Sequence, residues 1–71
     1  MLFQIGSVLK IKEGLVEGKY SNNGLNRVYF HQGMEKYCGM TATVVGIEND
    51  KYKLDVDDED WFWNDALVEG L

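Results

Sequence analysis

The sequence predicts an all-β domain, a small barrel of about five short strands with one helical turn near Met34–Cys38. Three observations carry this. Apolar and polar residues alternate with the strand period of two around Leu9–Ile11 and again through Lys51–Val56. Thr41 to Ile47 is a β-branched run. Glycine, asparagine and aspartate punctuate the chain at short intervals, which leaves room for little helix.

Ser7 to Lys12 reads as the first strand, with Leu9 and Ile11 on one face and Val8, Lys10 and Lys12 on the other. Gly6 and Gly14 bound it. From Leu15 to Gly33 the pattern weakens, and Gly18, Ser21, Asn22, Asn23 and Gly24 predict a long loop with Val28-Tyr29-Phe30 as a short apolar return. Met34 and Tyr37 stand one helical turn apart, and Gly39 sits where a left-handed residue ends a helix. After the Thr41–Ile47 strand, Asn49-Asp50 makes a turn. Tyr52, Leu54 and Val56 then point inward while Lys51, Lys53 and Asp55 point outward. Asp57-Asp58-Glu59-Asp60 is a second turn, Trp61-Phe62-Trp63 a short strand with both tryptophans on one face, and Asn64-Asp65 a tight turn returning Ala66, Leu67 and Val68 to the core.

The 71 residues form one domain. A core this small yields only about 3–5 kcal/mol of net stability. Cys38 has no partner for a disulfide, and with His31 the only histidine a Cys/His metal site lacks ligands. Nine aromatic side chains must therefore do much of the packing, at about 150–250 Å² buried apiece. A single thiol and an opening segment Met1–Gly6 without a basic or long apolar stretch lead us to expect a cytoplasmic protein. No run approaches the ~20 apolar residues of a membrane span.

The net charge of −5 is unevenly placed. Between Glu48 and Glu69 nine acids stand against two bases, a net of −7, while residues 1–47 carry +2. An acidic lobe repels phosphate and attracts cationic partners, which disfavours nucleic acid there.

The stretch Gly39-Met40-Thr41-Ala42-Thr43-Val44-Val45-Gly46-Ile47, followed by Tyr52-Lys53-Leu54-Asp55-Val56, Trp61-Phe62-Trp63 and Ala66-Leu67, resembles the SH3-like repeats of the Mind bomb type. The whole chain is more similar to short phage and prophage proteins of Gram-positive bacteria. These share Gly6-x-x-Leu9-Lys10-Ile11-Lys12-x-x-Leu15, Met34-Glu35-Lys36-Tyr37-x-Gly39 and the Trp-rich end. The matches touch about half the positions. They imply an SH3-like barrel, a scaffold that hosts many unrelated functions. Asn64-Asp65 stands near where the Mind bomb pattern often has a proline, so that group's peptide binding is not carried over.

The most suggestive candidate site is Asp57, Asp58, Glu59, Asp60, Trp61 and Trp63. SH3 domains hold basic, proline-rich peptides with acids beside aromatic grooves, and cations sit over indole faces at about 0.5–2 kcal/mol each. Read blandly, the same residues are a solvated turn beside a core tryptophan. Asp55-x-Asp57-x-Glu59 imitates the start of a calcium loop, but Asp60 replaces its glycine and Ala66 its final glutamate, so no metal is expected. His31, Cys38, Ser7 and Ser21 are too scattered to indicate a triad, and the exposed acids lack the shielding of a general acid/base pair. We expect no enzyme activity and no cofactor. Cys38 reads as a small buried hydrophobe. Lys10, Lys12, Lys19 and Arg27 with Tyr20 and Tyr29 could form a nucleic-acid face, but they lack a clustered basic footprint.

These readings converge on a non-enzymatic protein-binding module, of phage or prophage type, that engages a basic protein surface through an acidic-aromatic edge. An acidic DNA mimic that inhibits a host DNA-acting or defence enzyme is the alternative. A nucleic-acid-binding barrel ranks third.

Overall fold

The computed structural model describes residues 2–22 and 24–71. Met1 in the opening segment and Asn23 in the expected loop lie outside them. Six strands and one short helix follow in order: β1 (Val8–Ile11), β2 (Gly18–Asn22), β3 (Leu25–Phe30), a 3-10 helix (Gln32–Tyr37), β4 (Thr41–Glu48), β5 (Lys51–Leu54) and β6 (Val68–Gly70). The all-β fold is as expected. Its hydrogen bonding forms a four-stranded antiparallel sheet in the order β5-β4-β1-β6 and a separate β2-β3 hairpin, rather than one closed ladder among the described residues.

β1 is one of the two inner strands of the larger sheet, with a period-two pattern that matches both neighbours. Leu9 lies opposite Ala42 of β4 and Gly70 of β6, while Ile11 lies opposite Val68. All of these except Gly70 are buried. At the β4-β5 turn, Asn49 and Asp50 both take positive φ, 52° and 63°, the geometry that matches the twist of a two-residue hairpin. A register shift between Val44 and Gly46 bulges β4. Beyond it, Asp55 both accepts from Thr43 N through Oδ1 (3.0 Å) and donates its own N–H to Thr43 O (3.2 Å), so the bulged edge keeps its partners.

Three expectations need correction. Leu15–Gly33 is not mainly loop, because Gly18–Asn22 and Leu25–Phe30 pair as an antiparallel hairpin. The alternation that explains it sits at Arg27, Val28, Tyr29, Phe30: Val28 and Phe30 are buried, Arg27 and Tyr29 exposed. Val56 lies beyond the strand end, since the chain turns from Asp55 onward. Trp61-Phe62-Trp63 is not a strand either. Only Trp63 pairs, through one bridge to Tyr52 with N···O distances of 2.7 and 3.0 Å. The N–H of Trp61 is instead captured by the Asp57 carboxylate at 3.0 Å.

The helical turn is a six-residue 3-10 helix that starts two residues earlier than expected and buries Met34. Gly39 follows with φ +82°, and its N–H donates to Ile11 O at 2.8 Å, tying the helix exit to β1. Cys38 is half-buried against the core.

Trp63 is the hub of packing. It is fully buried and meets Phe30 of the hairpin edge-on at 6.4 Å and Tyr37 of the helix edge-on at 6.2 Å. Tyr20 extends the chain of rings by packing edge-on against Phe30 at 6.0 Å. Such pairs add about 0.5–1.5 kcal/mol each beyond area burial. Asn64, also fully buried, adds a polar clamp. Its Nδ2 donates to Tyr20 O (3.0 Å) and Asn26 O (2.8 Å), and its Oδ1 accepts from Ala66 N (3.1 Å). The clamp holds the hairpin to the C-terminal turn, which delivers buried Leu67 and Val68 as expected.

The N-terminal segment is held by Tyr52. Its ring is buried, its hydroxyl donates to Asp65 Oδ1, and the same oxygen accepts from Leu2 N (3.2 Å) and Phe3 N (3.1 Å). Burial first, and then the bond to Asp65, push the hydroxyl's pKa from 10.0 up to about 12. The neutral phenol is thus favoured more in the folded chain than in the unfolded one. This contribution is complete below pH 10 and is lost as pH rises toward about 12. Denaturant unfolding should therefore show wild-type stability falling more steeply than that of Tyr52→Phe over this window. Parallel curves would show that this hydroxyl does not link folding to pH.

Candidate functional site

The acidic turn is built around one carboxylate that does not face solvent. Asp57 is 4% exposed. Its Oδ2 accepts from Trp61 N (3.0 Å) and from the buried indole Nε1 of Trp63 (3.1 Å), and its Oδ1 accepts from Glu59 N (3.2 Å). An ionised aspartate has two oxygens that can accept several donors at once, which no apolar or amide side chain reproduces. Asp57 and Trp63 are thus the internal frame of the turn, not a contact surface.

Asp58, Glu59 and Asp60 are exposed. Asp58 and Glu59 take positive φ, 52° and 63°, where glycine or asparagine fits with less strain. Lys53 reaches the turn from the outward face of β5. Its Nζ donates to Glu59 O at 2.9 Å and lies 4.1 Å from the centroid of the Phe62 ring.

Trp61 is half-buried, and it lines an open groove of about 230 Å³ with Arg27, Val28, Tyr29, His31, Lys51, Asp60 and Phe62. Of the six residues expected at the site, the groove brings together Asp60 and Trp61. Asp58 and Glu59 stand next to them on the turn, and Asp57 and Trp63 lie beneath.

The groove also joins residues that the sequence suggests only separately, Arg27 and Tyr29 for a nucleic-acid face and His31 for a triad. Arg27 and Tyr29 occupy alternate positions of β3 and so share its outer face, which His31 continues past the strand end. Tyr29 and His31 meet edge-on at 4.6 Å, and His31 lies against Trp61 at 5.0 Å with the planes 34° apart. The Tyr29 hydroxyl donates to Glu17 Oε2 at 2.7 Å, which fixes the ring and raises its pKa. Three rings in contact thus run from β3 to the acidic turn. The alternation of Arg27, Tyr29 and His31 with Val28 and Phe30 was the available signal.

Lys51 reaches this groove through a specific fastening. Asn26 Nδ2 donates to the carbonyl of Asp50 at 2.6 Å, which places the start of β3 beside the β4-β5 turn. The next residue in each segment, Arg27 and Lys51, then lines the same groove. The groove offers ring faces and edges, with Asp60, Arg27 and Lys51 as the charged side chains along it. Among the described residues no cluster of three or more His, Cys, Asp or Glu side chains is placed to hold a metal ion, and no helix is long and apolar enough to cross a membrane. Comparison with family models, with curated proteins and with solved structures gave no match, so the groove is read from its own chemistry.

Proposed function

We propose that the protein is a non-enzymatic binding module of the SH3-like kind, of phage or prophage type, that holds a cationic segment of a partner protein. The segment lies against Trp61 and the exposed acids Asp58, Glu59 and Asp60. The observation that carries this reading is the half-exposed indole of Trp61 in an open groove shared with Asp60. A cation over an indole face beside a carboxylate gains from both the ring quadrupole and the charge. The buried frame of Asp57 and Trp63 holds the turn in place, which lowers the ordering cost of binding.

The test is calorimetric titration with a decapeptide of proline and alanine carrying two arginines at one end. Binding should weaken as salt rises from about 50 to 500 mM, as screened contacts do. Asp58→Lys, Glu59→Lys and Asp60→Lys together should reduce affinity about tenfold or more, and Trp61→Ala should do likewise, both with unchanged circular dichroism. Equal affinity in the folded variants would discard the acidic-aromatic edge as the binding surface.

A further inference from the structure

The groove is not uniformly acidic. Arg27 and Lys51 also line it, beside the Asn26–Asp50 fastening, whereas Trp61 and Asp60 stand at the His31 end of the row of rings, and among the described residues neither cation forms an ion pair. A uniformly basic segment long enough to fill the groove would press its own cations against these two. Like-charge juxtaposition of this kind rejects a partner rather than recruiting it. An extended decapeptide reaches about 33 Å, more than the molecule's greatest extent of 27 Å, so one laid along the groove is long enough to meet both ends.

We propose that the occupant is an extended protein segment of mixed charge. Its acidic residues lie against Arg27 and Lys51, its basic residues against Asp60 and the acidic turn, and its middle residues over Tyr29, His31 and Trp61. This deepens the binding-module reading and rests on it. Arg27 suits the acidic end because its guanidinium can take a carboxylate through two parallel hydrogen bonds. The Tyr29–His31–Trp61 row provides the flat middle, and the fastening of Asn26 to Asp50 keeps the cationic end together. The two charged ends of the groove also orient the bound chain, since reversing it would bring like charges together at both.

The test compares four probes by calorimetry: the decapeptide with two arginines at one end and a neutral other end, the same peptide with two glutamates at the other end, one with arginines at both ends, and a ten-nucleotide oligothymidylate. The mixed peptide is made in both chain directions. One direction of it should bind about tenfold tighter than the half-neutral peptide, and the doubly basic peptide should bind more weakly than either. In the Arg27→Glu/Lys51→Glu variant the order should invert, and Arg27→Gln/Lys51→Gln should make the mixed and half-neutral peptides equal. A half-neutral peptide that binds as well as the mixed one, still requiring Asp58–Asp60, overturns this inference and leaves the binding-module reading standing. Failure of every peptide overturns both. Oligothymidylate binding tighter than the mixed peptide, and lost in the Arg27→Glu/Lys51→Glu variant, would assign the cationic end to phosphate and overturn it as well.

Discussion

Asp57→Ala is expected to destabilise the protein by about 2–4 kcal/mol, through loss of charge-assisted hydrogen bonds and stranding of a buried donor. For a domain of this size that lowers Tm by about 10–30 °C. The alanine would leave two N–H groups without an acceptor, the Trp61 amide and the Trp63 indole, the latter in a site sealed from water, while Glu59 N keeps its bond to Leu54 O at 3.2 Å. With about 3–5 kcal/mol of total stability available to so small a core, much of the variant should be unfolded at 37 °C. Asp57→Asn should fall between the two, since one oxygen remains to accept while the amide NH2 faces donors. A double-mutant cycle with Trp63→Phe isolates the indole bond: the two losses should combine to less than their sum. Full additivity in denaturant unfolding would show that the carboxylate does not act through Trp63.

Asn64→Asp is expected to cost as much, about 3–5 kcal/mol at pH 7, because it places an unpaired charge in a fully buried site. The native amide donates to the carbonyls of Tyr20 and Asn26, and a carboxylate at the same place sets oxygen against oxygen twice. The substituted carboxyl would be pushed above the ordinary value of about 3.9 by desolvation and by those carbonyls. A folded pKa raised above the unfolded one favours the protonated native state. The variant should therefore recover stability as pH falls from 7 toward 4, regaining one donor as the acid protonates. Thermal melts at pH 7 and pH 4.5, each against wild type at the same pH, measure this. A deficit that does not shrink at the lower pH would mean that hairpin and C-terminal turn are not held by this amide.

Both predictions concern polar side chains that local sequence reading treats as turn formers, and the reason is instructive. Asn64-Asp65 was expected to start a tight turn, and it does, with Asn64 Oδ1 accepting from Ala66 N. The two longer-range bonds of the same amide reach residues 44 and 38 positions away, and no local pattern encodes them. Asp57 stood among four consecutive acids, all equally solvent-seeking by type. The Trp63 indole, together with the N–H groups of Glu59 and Trp61, separates it from Asp58, Glu59 and Asp60. A side chain's class sets its preference, whereas its partner decides whether burial is tolerated.

Likewise, the hairpin β2-β3 was hidden by the Gly18–Gly24 region, whose turn residues outweighed a short period-two signal. It pairs because Phe30 finds the Trp63 ring to pack against and Val28 joins the same core, and cross-strand pairing gains most where one face is buried. The hairpin brings His31 against Trp61 and sets Arg27 and Tyr29 around the same groove as Asp60.

Local pattern sufficed for the all-β class, the outline of β1, β4 and β5, the Asn49-Asp50 turn, the stop at Gly39 and the crowding of carboxylates toward the C-terminus. Each follows from period, propensity or composition, which act over a few residues. Tertiary structure alone decided which acid and which tryptophan turn inward, and which cations face the remaining indole. Those choices depend on hydrogen-bond partners and ring contacts between segments far apart in the chain, and such pairings form only when the whole domain closes around them.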